Sequence, residues 1–280
     1  FRSFINLKFP IDERPSLEQI EQILKENQDI ALVYITHNET GTGILNPIRE
    51  IGALAHAYGA IFVVDTTSTY AMRPINIKND NIDFCMASAQ KGLMAMTGIS
   101  FVVGKRTIIE QSKTYPKRSY YCNLYMQYHY FEAHGEMHFT PPVQTVYAMR
   151  QAIKEYFAEG EQKKWERHTR VFEALHKGIE RLGFQNIIKR DWQAGLVVTV
   201  KYPDDPNWSF SAIHDYCYKR GFTIYPGKIN NTETFRLCAL GAIDQSDIET
   251  FFEVFEAGLR EMEVSLPVHY GLEEQTDERE

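Results

Sequence analysis

The strongest constraint in this chain is a pair of apolar runs standing close together, Ile61 to Asp65 (IFVVD) and Ile82 to Met86 (IDFCM). The second leads into a turn of small residues, ASAQKG, that holds Lys91 and Gly92. Runs that are continuous rather than alternating fit strands covered on both faces, as in the parallel sheet of an α/β domain. In such sheets the functional groups gather beyond the carboxyl ends of the strands. Asp65 closes the first run and Lys91 follows the second, so a carboxylate and an amine are expected at one rim.

The flanking text supports this winding. Pro15 and Ser16 open a helix whose apolar face is Leu17, Ile20, Ile23 and Leu24. Ala31 to Ile35 reads as a strand, and Asn46 with Pro47 as the cap and first position of a helix running to Tyr58. Strand, helix, strand in short units is βαβ winding. Residues 99–104 form a further strand, and the GLMAMTG before it is too short for a parallel crossover, so this strand is expected to run antiparallel. Tyr115 to Phe139 is rich in aromatic residues and reads as helix-poor, a cover or subunit interface. Base stacking fits it less well, because no Lys or Arg follows Arg118 within it.

Beyond Pro142 the pattern is helical over Val146 to Glu159 and Glu161 to Arg181. Strands at Leu196 to Val200, Phe222 to Tyr225 and Thr234 to Leu240 then alternate with helices at Phe210 to Arg220 and Asp247 to Met262, the last capped by Ser246. This predicts a large domain over residues 1–145 and a smaller α+β domain over 146–280, ending in a frayed acidic tail, GLEEQTDERE.

Composition excludes several classes. The formal charge of −7 offers no basic surplus for nucleic acid or an anionic membrane. No apolar run approaches the roughly 20 residues that span a bilayer, and FRSFINLKFP lacks a signal-peptide core. The four cysteines, Cys85, Cys122, Cys217 and Cys238, show no metal spacing and fit free thiols in a reducing cytoplasm.

An amine and a carboxylate at neighbouring strand ends suit a pyridine cofactor, the lysine binding its aldehyde and the acid keeping its ring nitrogen protonated. The wording around them carries the reading further. HNETGTGILNPI, VVDTTST, SAQKG, HFTPPVQ, GFTIYPGK and TFRL follow one another from residue 37 to residue 237. In this set the chain resembles the class V aminotransferases of the pyridoxal phosphate (PLP) fold-type I superfamily. The resemblance implies an α/β large domain with a mostly parallel sheet, without the N-terminal part that relatives carry, and a smaller C-terminal α+β domain. That leading part holds the phosphate cup and the aromatic residue that stacks on the ring.

By the same resemblance Lys91 is the catalytic amine that binds PLP and shuttles a proton. Asp65 partners the ring nitrogen, Thr40 lies beside the phenolic oxygen, and Gln90 contacts the phosphate. Thr140 reaches the phosphate of a neighbouring subunit, which makes the unit a homodimer with a shared site. Arg236 grips the anionic end of the substrate, where its planar fork suits a carboxylate or phosphonate. Competing structural roles exist: Thr40 and Thr140 as caps, Asp65 as a turn former. The implied reaction moves an amino group from an aminophosphonate to pyruvate. Alanine:glyoxylate or serine:pyruvate transamination is the alternative on the same scaffold, and a non-catalytic assembly module the alternative outside enzymology.

Two further motifs carry less. Ser88 and Lys91 spell S-x-x-K, but neither S-D-N nor K-T-G accompanies them, which argues against an acyl-transfer serine. His134 and His138 have i, i+4 spacing, yet Gly135 weakens a helix there, so no metal site is expected.

Overall fold

The computed structural model describes residues 3–229 and 232–271. The acidic tail read from the sequence lies outside the described residues beyond Gly271. Residues 3–9 carry no regular structure. The chain divides into two compact units. The first comprises residues up to Phe9, Arg14–Asn38 and Asn46–Trp165, and the second Pro10–Glu13, Glu39–Leu45 and the chain from Glu166 onward.

The first unit begins with α1 (Leu17–Glu26), capped by the Ser16 hydroxyl, which accepts from the Gln19 amide. It continues through β1 (Leu32–Thr36), α2 (Ile48–Ala57), β2 (Ile61–Asp65), β3 (Phe84–Ser88) and β4 (Ser100–Gly104). The strands form one sheet in chain order. β1, β2 and β3 run parallel and β4 antiparallel, as the short connection before β4 requires. Ile20, Leu24, Ile48, Ile51 and Ala55 of the two helices pack against Phe62, Val64 and Cys85. The other face therefore carries the intervening residues: Asp65 on β2 pairs in register with Met86 on β3, two residues before Ser88. Asn46 does not cap α2. Its side-chain amide donates to the Thr36 carbonyl, and Pro47 occupies the cap position without a side-chain bond.

Asp83, just ahead of β3, ties four elements together. One oxygen accepts from the Phe62 amide (2.7 Å) and the His56 ring (2.9 Å), and the other meets the Lys105 ammonium (2.6 Å). Burial alone raises this carboxyl; Lys105, the Phe62 amide and His56 outweigh it and hold it below its usual range. Asp83→Ala strands a buried amide and removes the pair, so denaturant melts should show a loss of about 3 kcal/mol. The contribution is complete above the unfolded carboxyl value of about 3.9 and disappears as pH falls through the lower folded value.

The remainder of the first unit is helical: α3 (Arg106–Gln111), α4 (Leu124–His134), α5 (Val143–Glu159) and the opening of α6 (Glu161–Arg181). The α4 helix corrects the expectation of a helix-poor aromatic segment. The Asn123 side chain caps it by accepting from the Met126 amide, and Gly135, at φ +70°, stops it. Its aromatic residues stack locally, with Tyr130 4.7 Å from the His138 ring, and none is fully buried.

In the second unit β5 (Val197–Lys201), α7 (Phe210–Tyr218), β6 (Tyr225–Pro226), β7 (Thr234–Cys238) and α8 (Gln245–Glu261) follow α6. The sheet order is β5-β7-β6, antiparallel throughout. Its core joins Leu175 and Ile179 of α6, Ile213 of α7 and Phe255 and Leu259 of α8 to Val198, Val200, Phe235 and Leu237. The cap of α8 is Asp244, in a capping box with Asp247, and not Ser246. Two carboxylates at that helix start reinforce the favourable dipole interaction, which a lone serine lacks.

Candidate active site

The Asp65 and Lys91 candidates stand where the apolar runs predict, at the carboxyl ends of adjacent parallel strands in the first unit. Asp65 Oδ1 accepts from the Thr67 amide at 2.8 Å, which spends one oxygen on the turn and leaves Oδ2 without a hydrogen-bond donor among the described residues. The Thr66 amide and hydroxyl both donate to the Met86 carbonyl, at 2.9 Å each, pinning that turn to the next strand.

Lys91 lies three residues past β3 in a closed loop. The Ala89 amide donates to Ile99, the Ala95 amide to Ala89 and the Met94 amide to Lys91. Its side chain is half-buried, and the amine makes no hydrogen bond or ion pair with the described residues. Gly92 is required beside it: a Cβ there would stand 2.0 Å from the Tyr70 carbonyl oxygen. Gln90 is exposed. Thr140 is exposed as well and caps nothing, since α5 begins at Val143 with Pro142 in the cap position.

Two further residues stand near this rim, one of which, Ser88, stands out in the sequence only for its S-x-x-K spacing. Ser88 ends β3 on the face that Asp65 shares, and its buried hydroxyl has no hydrogen-bond partner among the described residues. Counting alternate residues back from Ser88 to Met86 would have found it. His37, 6% exposed, follows β1; its amide donates to the Asp65 carbonyl at 2.8 Å and its Nδ1 stands 3.0 Å from the Thr69 hydroxyl. Burial first, and the positive charge of Arg73 second, push the imidazole down to about 4, against a small upward pull from Asp80.

An unfolded histidine titrates near 6.5, so between pH 6.5 and 4 the unfolded chain takes up a proton that the folded one refuses. Stability is therefore lost as pH falls across this window, by on the order of 3 kcal/mol. Urea midpoints of the wild type and His37→Gln, compared at pH 7 and 4.5, should converge at the lower pH; parallel falls would refute the assignment.

Thr40 and Arg236 belong to the second unit. Arg236 sits on β7 between Phe235 and Leu237 and is 9% exposed. Its Nε donates to the Pro226 carbonyl and its Nη1 to the Thr40 carbonyl, both at 3.1 Å, and its guanidinium lies 6.0 Å from the Tyr225 ring centre. The cost of burying a guanidinium is thus offset by neutral carbonyls, and its charge stays available to an anion. The segment Glu39–Leu45 is fastened in the same unit: Thr199 donates to the Gly41 carbonyl, and the Ala194 amide to Gly43. Gly43 adopts φ +91°, and a Cβ there would meet the Val197 carbonyl at 2.3 Å.

A mostly parallel sheet thus carries both candidates at its rim, and comparison with known proteins identifies the family. The sequence profile of class V aminotransferases matches residues 6–224, and the chain belongs to that family. Its relatives include a 2-aminoethylphosphonate-pyruvate transaminase of Cupriavidus pinatubonensis, 34% identical over 95% of this chain and 70% of the relative. A second, from Lysinibacillus sphaericus, is 33% identical over 88% of this chain and 67% of its own. The chain thus spans about two thirds of the length of the curated relatives it matches. Among solved structures, pyridoxamine-pyruvate aminotransferase from Mesorhizobium loti superposes with a TM-score of 0.84, at 20% identity over 93% of this chain and 67% of that one; the likeness is one of fold. The family in general depends on PLP. No helix among the described residues is long and apolar enough to cross a membrane.

Proposed function

We propose that this chain acts as a PLP-dependent aminotransferase that moves the amino group of 2-aminoethylphosphonate to pyruvate, giving phosphonoacetaldehyde and alanine. The observation that carries the reading is Lys91: among the described residues, a half-buried amine without a partner, on the loop after β3, one strand away from a carboxylate with a free oxygen. The buried, unpartnered Ser88 hydroxyl adds polar capacity on the same strand and fits a phosphate-bearing ring. The curated relatives at 33–34% identity supply the substrate pair.

PLP, when bound, supplies an aldehyde for the amine and a ring that draws electrons away from the substrate's Cα–H bond. Lys91 would bind that aldehyde and serve as the base that holds the proton taken from the substrate's Cα. Asp65 would hold a proton on the ring nitrogen through the oxygen that the Thr67 amide leaves free. Gln90, Ser88 and, from a second copy, Thr140 would hold the phosphate, and Thr40 the phenolic oxygen. Arg236, already oriented by two carbonyls, takes the phosphonate of one substrate and the carboxylate of the other. In this reading the first unit holds the cofactor, and the enzyme works as a cytoplasmic homodimer. Exposed Tyr120, Tyr121, Phe131, Tyr147 and Phe157 support a subunit contact.

The test is colour and donor choice. Added PLP should produce a visible band, and turnover of 2-aminoethylphosphonate with pyruvate should exceed that of serine with pyruvate, and of alanine with glyoxylate, by at least about tenfold, the scale of one lost anionic contact. A protein that ignores PLP is the assembly module; one that prefers serine or alanine is the other transaminase.

A further inference from the structure

Lys164, in the first turn of α6, is 1% exposed and ranks among the largest fully buried side chains of the chain. In the sequence it stands in a run of charges, EQKKWER, that reads as solvated surface. A buried ammonium costs far more than the methionine that would fill the same volume, so a lysine kept there has a task that its charge performs. Its Nζ donates to the Gly92 carbonyl and stands 5.1 Å from the centre of the Tyr156 ring.

That carbonyl belongs to the residue after Lys91. The other bonds that shape the loop, from the amides of Ala89, Met94 and Ala95, are main-chain bonds. A Cβ on Gly92 would run into the Tyr70 carbonyl and the Met72 side chain, so the peptide is closely packed as well as held by a charged donor. We propose that Lys164 is a positioning residue for Lys91, fixing the peptide from which the reactive amine projects and thereby setting where that amine can reach. The proposal rests on the reading of Lys91 as the amine that takes PLP. Positioning of this kind acts on turnover rather than on substrate affinity, because an ångström of displacement at a reacting group costs up to about a hundredfold in rate.

The test compares Lys164→Met, which keeps the volume and removes the donor, with Lys164→Arg, which restores charge and donor. In Lys164→Met, kcat should fall by roughly tenfold to a hundredfold with KM changed less than about threefold. The amides of Met94 and Ala95 should exchange with solvent about tenfold faster, and Lys164→Arg should recover both. Should Lys164→Met fail to fold, Lys164→Arg still decides: amide exchange and kcat near wild type uphold the assignment, and loss of either overturns it. A coloured wild type whose Lys164→Met variant keeps its turnover and its exchange rates refutes the positioning role alone. A wild type that takes no Lys91-dependent colour from PLP brings down the reading of Lys91, and the positioning role with it.

Discussion

Replacing Lys91 by alanine is expected to abolish transamination, lowering kcat by on the order of 10⁵ or more, while leaving the fold intact. The two halves of that expectation come from different observations. The lysine side chain is half-buried and its amine bonds to none of the described residues, so its loss should shift stability by no more than about 1 kcal/mol. The chemistry, by contrast, has no second amine to use. Lys164 is committed to the Gly92 carbonyl, and Arg in place of Lys91 cannot give up its proton. Steady-state kinetics beside a thermal melt will check both, together with the visible band, which should vanish in the variant. Retained turnover in a folded Lys91→Ala protein would sink the enzymatic reading.

Asp65→Asn should lower kcat/KM by roughly 10² to 10³, the scale of losing one preorganised electrostatic contact in a transition state. The substitution is informative because the Asp65 carboxylate has two separable jobs. Oδ1 accepts from the Thr67 amide, and an asparagine oxygen can do the same, so the turn after β2 should survive. What asparagine cannot supply is the negative charge that keeps a proton on a ring nitrogen. A variant with an unchanged urea midpoint and a collapsed rate separates the roles. A variant that unfolds would mean the carboxylate is only a turn former.

The elements that were legible in the sequence are those whose signal is local. β2 starts and stops where the apolar run does, α6 occupies its charged amphipathic stretch from end to end, and the direction of β4 follows from the length of a connection. α4 was missed because its aromatic residues favour strands, although its cap Asn123 and its stop Gly135 were both on view. At α8 the nearer serine was preferred over an aspartate two residues earlier, and only the reciprocal bond with Asp247 identifies the true cap.

For the candidate site, strand ends were readable and burial was not. Asp65 and Lys91 stand after runs anyone can count. The enclosure of Lys164, the orphan hydroxyl of Ser88 and the depressed imidazole of His37 depend on neighbours tens of residues away. Arg236 was visible as an expensive charge in an apolar strand, yet its partners are carbonyls from residues 40 and 226, which no spacing rule connects.

That choice of partners has a further consequence. Because the two hydrogen bonds that orient Arg236 go to main-chain oxygens, a change of side chain at position 40 leaves its acceptor in place. Under the role proposed for Arg236, donor preference would then be set by the side chains that meet the remainder of the substrate, because the orientation of the guanidinium does not depend on them.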